Sequence, residues 1–164
     1  MEAGARRPDT FAERHAWKVF LAISVIVVLF GAGDILIGGA TFASGEAVLF
    51  RGVTGMTWDE AQIAAPELAA FIDLQVRAGG LALLIAGLLS TAICLTAMRR
   101  GERWAWVAML VWPAWTALAV ILYLTVEKVP GAGIPVPVIS GSIFFVIAAV
   151  TLGLSYRRYL RSPT

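Results

Sequence analysis

Asp73 and Arg77 stand four residues apart at the mouth of a long uncharged run, in the stretch Asp73-Leu74-Gln75-Val76-Arg77-Ala78-Gly79-Gly80. On a helix that spacing puts both side chains on one face, one turn apart. An arginine at the edge of a hydrocarbon layer is costly to leave in lipid and is expected to turn inward toward an acid. Asp34 is the one acid embedded in the first apolar run. Asp34 and Arg77 are therefore expected within salt-bridge reach, directly or through one water. By depth, Tyr123 and Glu127 belong to the same layer, with Ser140 beside them and Trp112 and Trp115 as an apolar floor. Such a constellation has two readings. It would fix helix register as a buried pair, or it would form an outward-facing polar pocket. In the pocket Arg77 would bind a small anion, a lipid headgroup or a quinone ring, and the acids would position it. A proton or ion path is disfavoured, because nothing ionisable continues the route through the inner half.

The residue types also exclude chemistry. The chain has one cysteine, Cys94, and one histidine, His15. Neither an internal disulfide, a CxxC redox pair, a bis-His haem nor a Cys/His metal cluster can be assembled from these. No catalytic, cofactor-binding or metal-ligating set is evident, and the expectation leans toward a non-enzymatic protein.

The elements that must position these residues are read from composition. The chain is 59% hydrophobic and only 15% charged, against about 25% charge in soluble domains. A bilayer core about 30 Å thick takes roughly 20 apolar residues of helix. Four runs qualify, at about 17–39, 71–98, 104–126 and 136–156, within a single membrane domain covering 1–164. The expected fold is all-α, a four-transmembrane-helix bundle. Of thirteen Lys and Arg, ten fall in three clusters: Arg6, Arg7, Arg14 and Lys18; Arg99, Arg100 and Arg103; Arg157, Arg158 and Arg161. These flank alternate ends of the runs, so they share one side, which the positive-inside rule makes the cytoplasm. Both termini are then cytoplasmic, and the clusters act as topology signals rather than nucleic-acid patches. Arginine far outnumbers lysine and asparagine is absent, a codon bias of GC-rich bacterial genomes; the expected location is the bacterial cytoplasmic (inner) membrane.

Small and polar residues trace seams at three-to-four spacing. They are Ser24, Val27, Gly31, Asp34 and Gly38 on the first span, and Arg77, Gly80, Leu84, Gly87, Thr91 and Cys94 on the second. Such seams let helices approach closely where lipid supplies no hydrophobic drive. The turn Arg99-Arg100-Gly101-Glu102-Arg103 is tight, so spans two and three are expected to be antiparallel neighbours. Pro113 should kink the third span and free the carbonyl of Met109. The external loop, 40–70, carries a capping box at Thr57-Trp58-Asp59-Glu60. A short helix should follow it to about Ala65, and Pro66 suits the first turn of another. This segment, apolar on one face, would lie on the bundle mouth or in the interface, or serve as a gating or partner-docking lid. Residues 127–138, rich in glycine and proline, read as an extended connection.

Arg77-Ala78-Gly79-Gly80, the basic turn Arg99-Arg100-Gly101-Glu102-Arg103-Trp104-Ala105-Trp106, and then Pro113 resemble small bacterial four-helix membrane proteins. The layout of a Gly-rich first span with an acid, an external loop, and three closely spaced spans resembles the DoxX-like group. Some DoxX-like proteins are associated with quinone-linked oxidoreductase complexes. The resemblance thus implies one alternative, a membrane subunit of such a complex, whose redox chemistry would reside on another chain.

Three functions are carried forward. The first is a non-enzymatic accessory subunit or a binder of a small ligand or lipid, through the outward-facing polar cluster. The second is the quinone-linked subunit, and the third a minimal transporter working as an oligomer. The expected partners are the lipid bilayer and a larger membrane complex or homo-oligomer, with no nucleic acid. A quinone or a lipid is the only bound group that the residues favour.

Overall fold

The computed structural model describes residues 10–126, 129 and 133–160. Glu127, one of the expected site residues, lies outside them, as do the first and last basic residues of the termini. Helix α1 (Phe11–Ile37) starts at a capping box. The Thr10 hydroxyl accepts the Glu13 N–H at 3.3 Å and Glu13 accepts the Thr10 N–H at 2.6 Å, satisfying two backbone groups that a helix start leaves open. The helix therefore begins ahead of the span expected from about residue 17. At its far end Gly38 takes a φ of 59°, and a 3-10 turn follows over Gly38–Ala43.

Two short helices occupy the first loop, α2 (Ala47–Thr54) and α3 (Trp58–Ala64). The second has the expected Thr57/Glu60 capping box. Helix α4 (Pro66–Ile93) carries proline in its first turn, where the missing N–H costs nothing, and runs on into a π-helical turn over Cys94–Met98. The third span is divided into α5 (Arg103–Ala108) and α6 (Val111–Val126). Pro113 cannot donate to Met109, whose carbonyl is taken up by the Trp112 N–H at 3.3 Å, and the break falls at Met109–Leu110, about one turn before the proline. Helix α7 (Val136–Leu160) completes the chain. Four helical stretches, Phe11–Ala43, Pro66–Met98, Arg103–Val126 and Val136–Leu160, are long and apolar enough to cross a membrane. No strand occurs among the described residues.

Packing order is not chain order. Helix α1 lies between α4 and α7, and α6 packs on α7. The α1–α4 contact is made backbone to backbone. A Cβ on Gly31 would lie 2.5 Å from the Leu84 nitrogen, and one on Gly80 2.8 Å from the Gly31 carbonyl. The expectation that spans two and three pack as neighbours holds beside the turn alone: α5 packs on the π-helical end of α4, while α4 and α6 share at most marginal contact. The tight turn ties the ends together. The glycines commit α4 to α1, and Gly141 brings α7 against α6, with Val120 beside it.

The buried core sits in the half of the bundle that carries the termini. It gathers Ala16, Phe20 and Ile23 of α1, Cys94, Ala97 and Met98 of the π turn, Ala105, Met109 and Trp112, and Ala148, Leu152 and Tyr159 of α7. The Tyr159 hydroxyl donates to the Met98 carbonyl at 3.0 Å, and Arg158 donates to the Glu13 carbonyl at 3.0 Å, so this end is tied by polar contacts as well. A separate cluster of Phe50, Trp58, Ala61 and Ala69 forms at the loop end. There the Val129 N–H reaches the Gly52 carbonyl at 3.0 Å, joining the second loop to α2.

Candidate functional site

Arg77 is held by groups at the end of α1. Its Nε donates to Asp73 Oδ2 at 2.8 Å and one terminal nitrogen to Oδ1 at 3.3 Å, the two-pronged geometry that a guanidinium fork favours. The other terminal nitrogen donates to the Ile35 carbonyl and, at 3.5 Å, to that of Leu36. Asp73 in turn accepts the Gly39 N–H at 2.7 Å. The last carbonyls of a helix have no partner within it, and at the edge of an apolar layer water is scarce. The Asp73–Arg77 pair supplies donor and acceptor to the chain as it leaves α1. Gly38 fits this clamp only because it lacks a Cβ, which would enter the space of the Asp73 carboxylate and the Arg77 guanidinium.

The direct Asp34–Arg77 salt bridge expected from the sequence does not form. Arg77 pairs with Asp73 of its own helix, and what it meets on α1 is backbone. The reason is helical phase. Asp34 lies on the face packed against Gly80, whose added Cβ would be 2.6 Å from the Asp34 Cβ. The carbonyls Arg77 binds are those of the next two residues, in the last turn of the helix.

Asp34 is half-buried, and its carboxyl makes no hydrogen bond or ion pair with the described residues. It lies within electrostatic reach of Glu46, just before α2, and of Tyr123 on α6, which is within reach of Glu46 as well. Burial, and secondarily the like charge of Asp34, push the Glu46 carboxyl above its ordinary range. Two carboxyls and a phenol, from α1, the first loop and α6, thus stand within electrostatic reach of one another at the loop end. Glu46 was not among the expected site residues. It reads from sequence as one more loop acid, and no spacing ties it to residue 34 or 123.

The tryptophans form a third group. Trp112 and Trp115 stack with centroids 6.3 Å apart and planes 15° apart. Trp112 is buried in the core and its indole N–H has no partner, while Trp115 is exposed. They precede Tyr123 by eleven and eight residues, which at helical rise puts them about 16 and 12 Å lower along α6. The expected constellation is therefore three separate groups: a cap (Asp73, Arg77), a carboxyl–phenol set (Asp34, Glu46, Tyr123) and a deeper aromatic pair. The second can accept hydrogen bonds or a positive charge through its carboxylates and donate through the phenol.

The chain matches no known protein-family profile, and no curated protein or solved structure is significantly similar to it.

Proposed function

We propose that this is a multi-pass protein of the bacterial cytoplasmic membrane, with both termini in the cytoplasm, that binds a small amphipathic ligand without transforming it. The ligand's polar head would sit at the loop end of the bundle against Asp34, Glu46 and Tyr123. The observation that carries this reading is the Asp34 carboxyl, inside a membrane-spanning stretch, with no counter-ion among the described residues and with the Glu46 carboxyl in electrostatic reach. An unneutralised acid in a span is a candidate for function before it is one for stability. With Arg77 engaged at the end of α1, the carboxyl–phenol set favours a head that donates hydrogen bonds or carries positive charge over a simple anion. The basic residues Arg14, Lys18, Arg99, Arg100, Arg103, Arg157 and Arg158 stand at the termini end, which supports the cytoplasmic assignment.

The test is mass spectrometry of organic extracts from the full chain purified in mild detergent. A defined lipid or quinone is expected in the wild-type extract and is expected to fall about tenfold in Asp34→Asn and Tyr123→Phe, a loss of the size of one charge-assisted hydrogen bond, with unchanged thermal midpoint. Extracts indistinguishable among the three proteins would refute the assignment. A quinone in the extract would select the second reading, a subunit of a quinone-linked oxidoreductase complex. A phenol beside carboxyls offers both a donor and acceptors to a quinone or quinol ring.

A further inference from the structure

A cavity of about 300 Å³ opens between α2 and α3, lined by Phe42, Val48, Arg51, Thr57, Trp58 and Asp59 among others. This is at the lower end of small-molecule site volumes, and the cavity is separate from the Asp34 set in its lining. Its floor is aromatic and firm. Phe42, Phe50 and Trp58 lie with ring centroids 5.1–5.5 Å apart, and Trp58 is wedged against Gly39, where even a Cβ would lie 2.5 Å from the indole. Its rim carries opposite charges on different helices, Arg51 of α2 and Asp59 of α3. They share the cavity without an ion pair to each other. Both side chains are exposed. Arg51 is in electrostatic reach of Glu60, but that carboxylate is already held by the Thr57 N–H at 2.7 Å.

The position of the cavity selects the class of occupant. Its lining begins at Phe42 and Ala43, where the first membrane-spanning stretch ends, and closes at Asp59, before the second begins at Pro66. The last turn of α1, joined to Phe42 by the 3-10 turn, exposes Leu36 and Ile37 by 79% and 53%, a surface for acyl chains. The cavity thus stands at headgroup level, at the end of a span with a lipid-facing surface. From this we infer that it binds the headgroup of a zwitterionic amphiphile bearing a phosphate and a primary ammonium. Arg51 and the Thr57 hydroxyl take the phosphate; Asp59 takes the ammonium, with the Phe42 and Trp58 rings beside it.

Native mass spectrometry of the full chain, titrated with dioleoylphosphatidylethanolamine and with dioleoylphosphatidylglycerol, tests this. The ethanolamine lipid is expected to be retained about tenfold more tightly, the scale of one charged hydrogen-bonded contact. Arg51→Gln weakens both lipids. Asp59→Asn brings the ethanolamine lipid down to the level of the glycerol lipid and leaves the latter unchanged. Val48→Trp, which fills the cavity without touching a charge, abolishes the preference. Displacement by glycerophosphoethanolamine identifies the free headgroup as a sufficient ligand; retention of the ethanolamine lipid against it identifies the bilayer lipid as the ligand. Equal retention of the two lipids, or a preference that survives all three substitutions, overturns the inference. None of these residues belongs to the Asp34 set, so either site can fail alone.

Discussion

Arg77 directs its guanidinium at two backbone carbonyls where α1 ends and at the carboxylate that anchors Gly39. Removing it takes a donor from those carbonyls and the counter-ion from that carboxylate at the rim of an apolar layer. Arg77→Ala is expected to lower the thermal midpoint and loosen Gly38–Ala43, read as faster amide exchange there. Arg77→Lys should recover only part, since an ammonium keeps the charge and loses the planar fork. Glu46 sets a pH dependence of defined sign. Its carboxyl is raised by burial and by Asp34, so the folded state holds that proton to higher pH than the unfolded chain does. The contribution of Glu46 to stability is then greatest in acid, declines as pH climbs from the ordinary glutamate range to the raised value, and is flat above it. Glu46→Gln should flatten that decline and raise the midpoint at neutral pH, measured by thermal melts across pH. The i, i+4 relation of Asp73 and Arg77 is legible in the sequence. Their α1 partners are not, because backbone carbonyls have no residue identity to read.

Helix α1 meets α4 through glycines, and the close approach is specific to position. Gly31→Ala places a methyl against the Leu84 and Gly80 backbone, which cannot step aside, and should cost about 1–3 kcal/mol as overpacking does. Gly79 has nothing within 4 Å of its would-be Cβ. There Gly79→Ala should be neutral or stabilising by up to about 1 kcal/mol through helix propensity. Unfolding of the two variants in mixed micelles separates the cases. The small-residue seams foretold this face, and Ser24, Gly31, Gly80 and Gly87 are all buried. The starts of α1 and α3 follow one rule, a threonine with a glutamate three residues on, and reading Thr10-Phe11-Ala12-Glu13 as Thr57–Glu60 was read would have placed the first start correctly. Helix α2 and the π-helical turn left no comparable mark. The first is stabilised by tertiary contacts of Phe50, and the second lies within an unbroken apolar run whose pattern is the same for either winding.

For the whole molecule, a reporter fused after Thr164 is expected to read cytoplasmic, and a cysteine placed at Ser44 to be labelled by an impermeant maleimide from the opposite side. The number of spans followed from hydrophobic length, which is local. Their packing order did not, because the short turn at Gly101 restrains only the helix ends, and contacts between residues distant in the chain, such as Glu13 with Arg158 and Gly31 with Leu84, decide which faces meet. The Tyr159–Met98 bond and the core around it fasten all four spans at one end, and at the other the Val129 N–H, bonded to the Gly52 carbonyl, ties the second loop to the first. The molecule is thus fastened twice, by an apolar core beside the termini and by a backbone bond between the loops. A lone backbone bond is the weaker fastening, so strain on the bundle would part the loops before it opened the core.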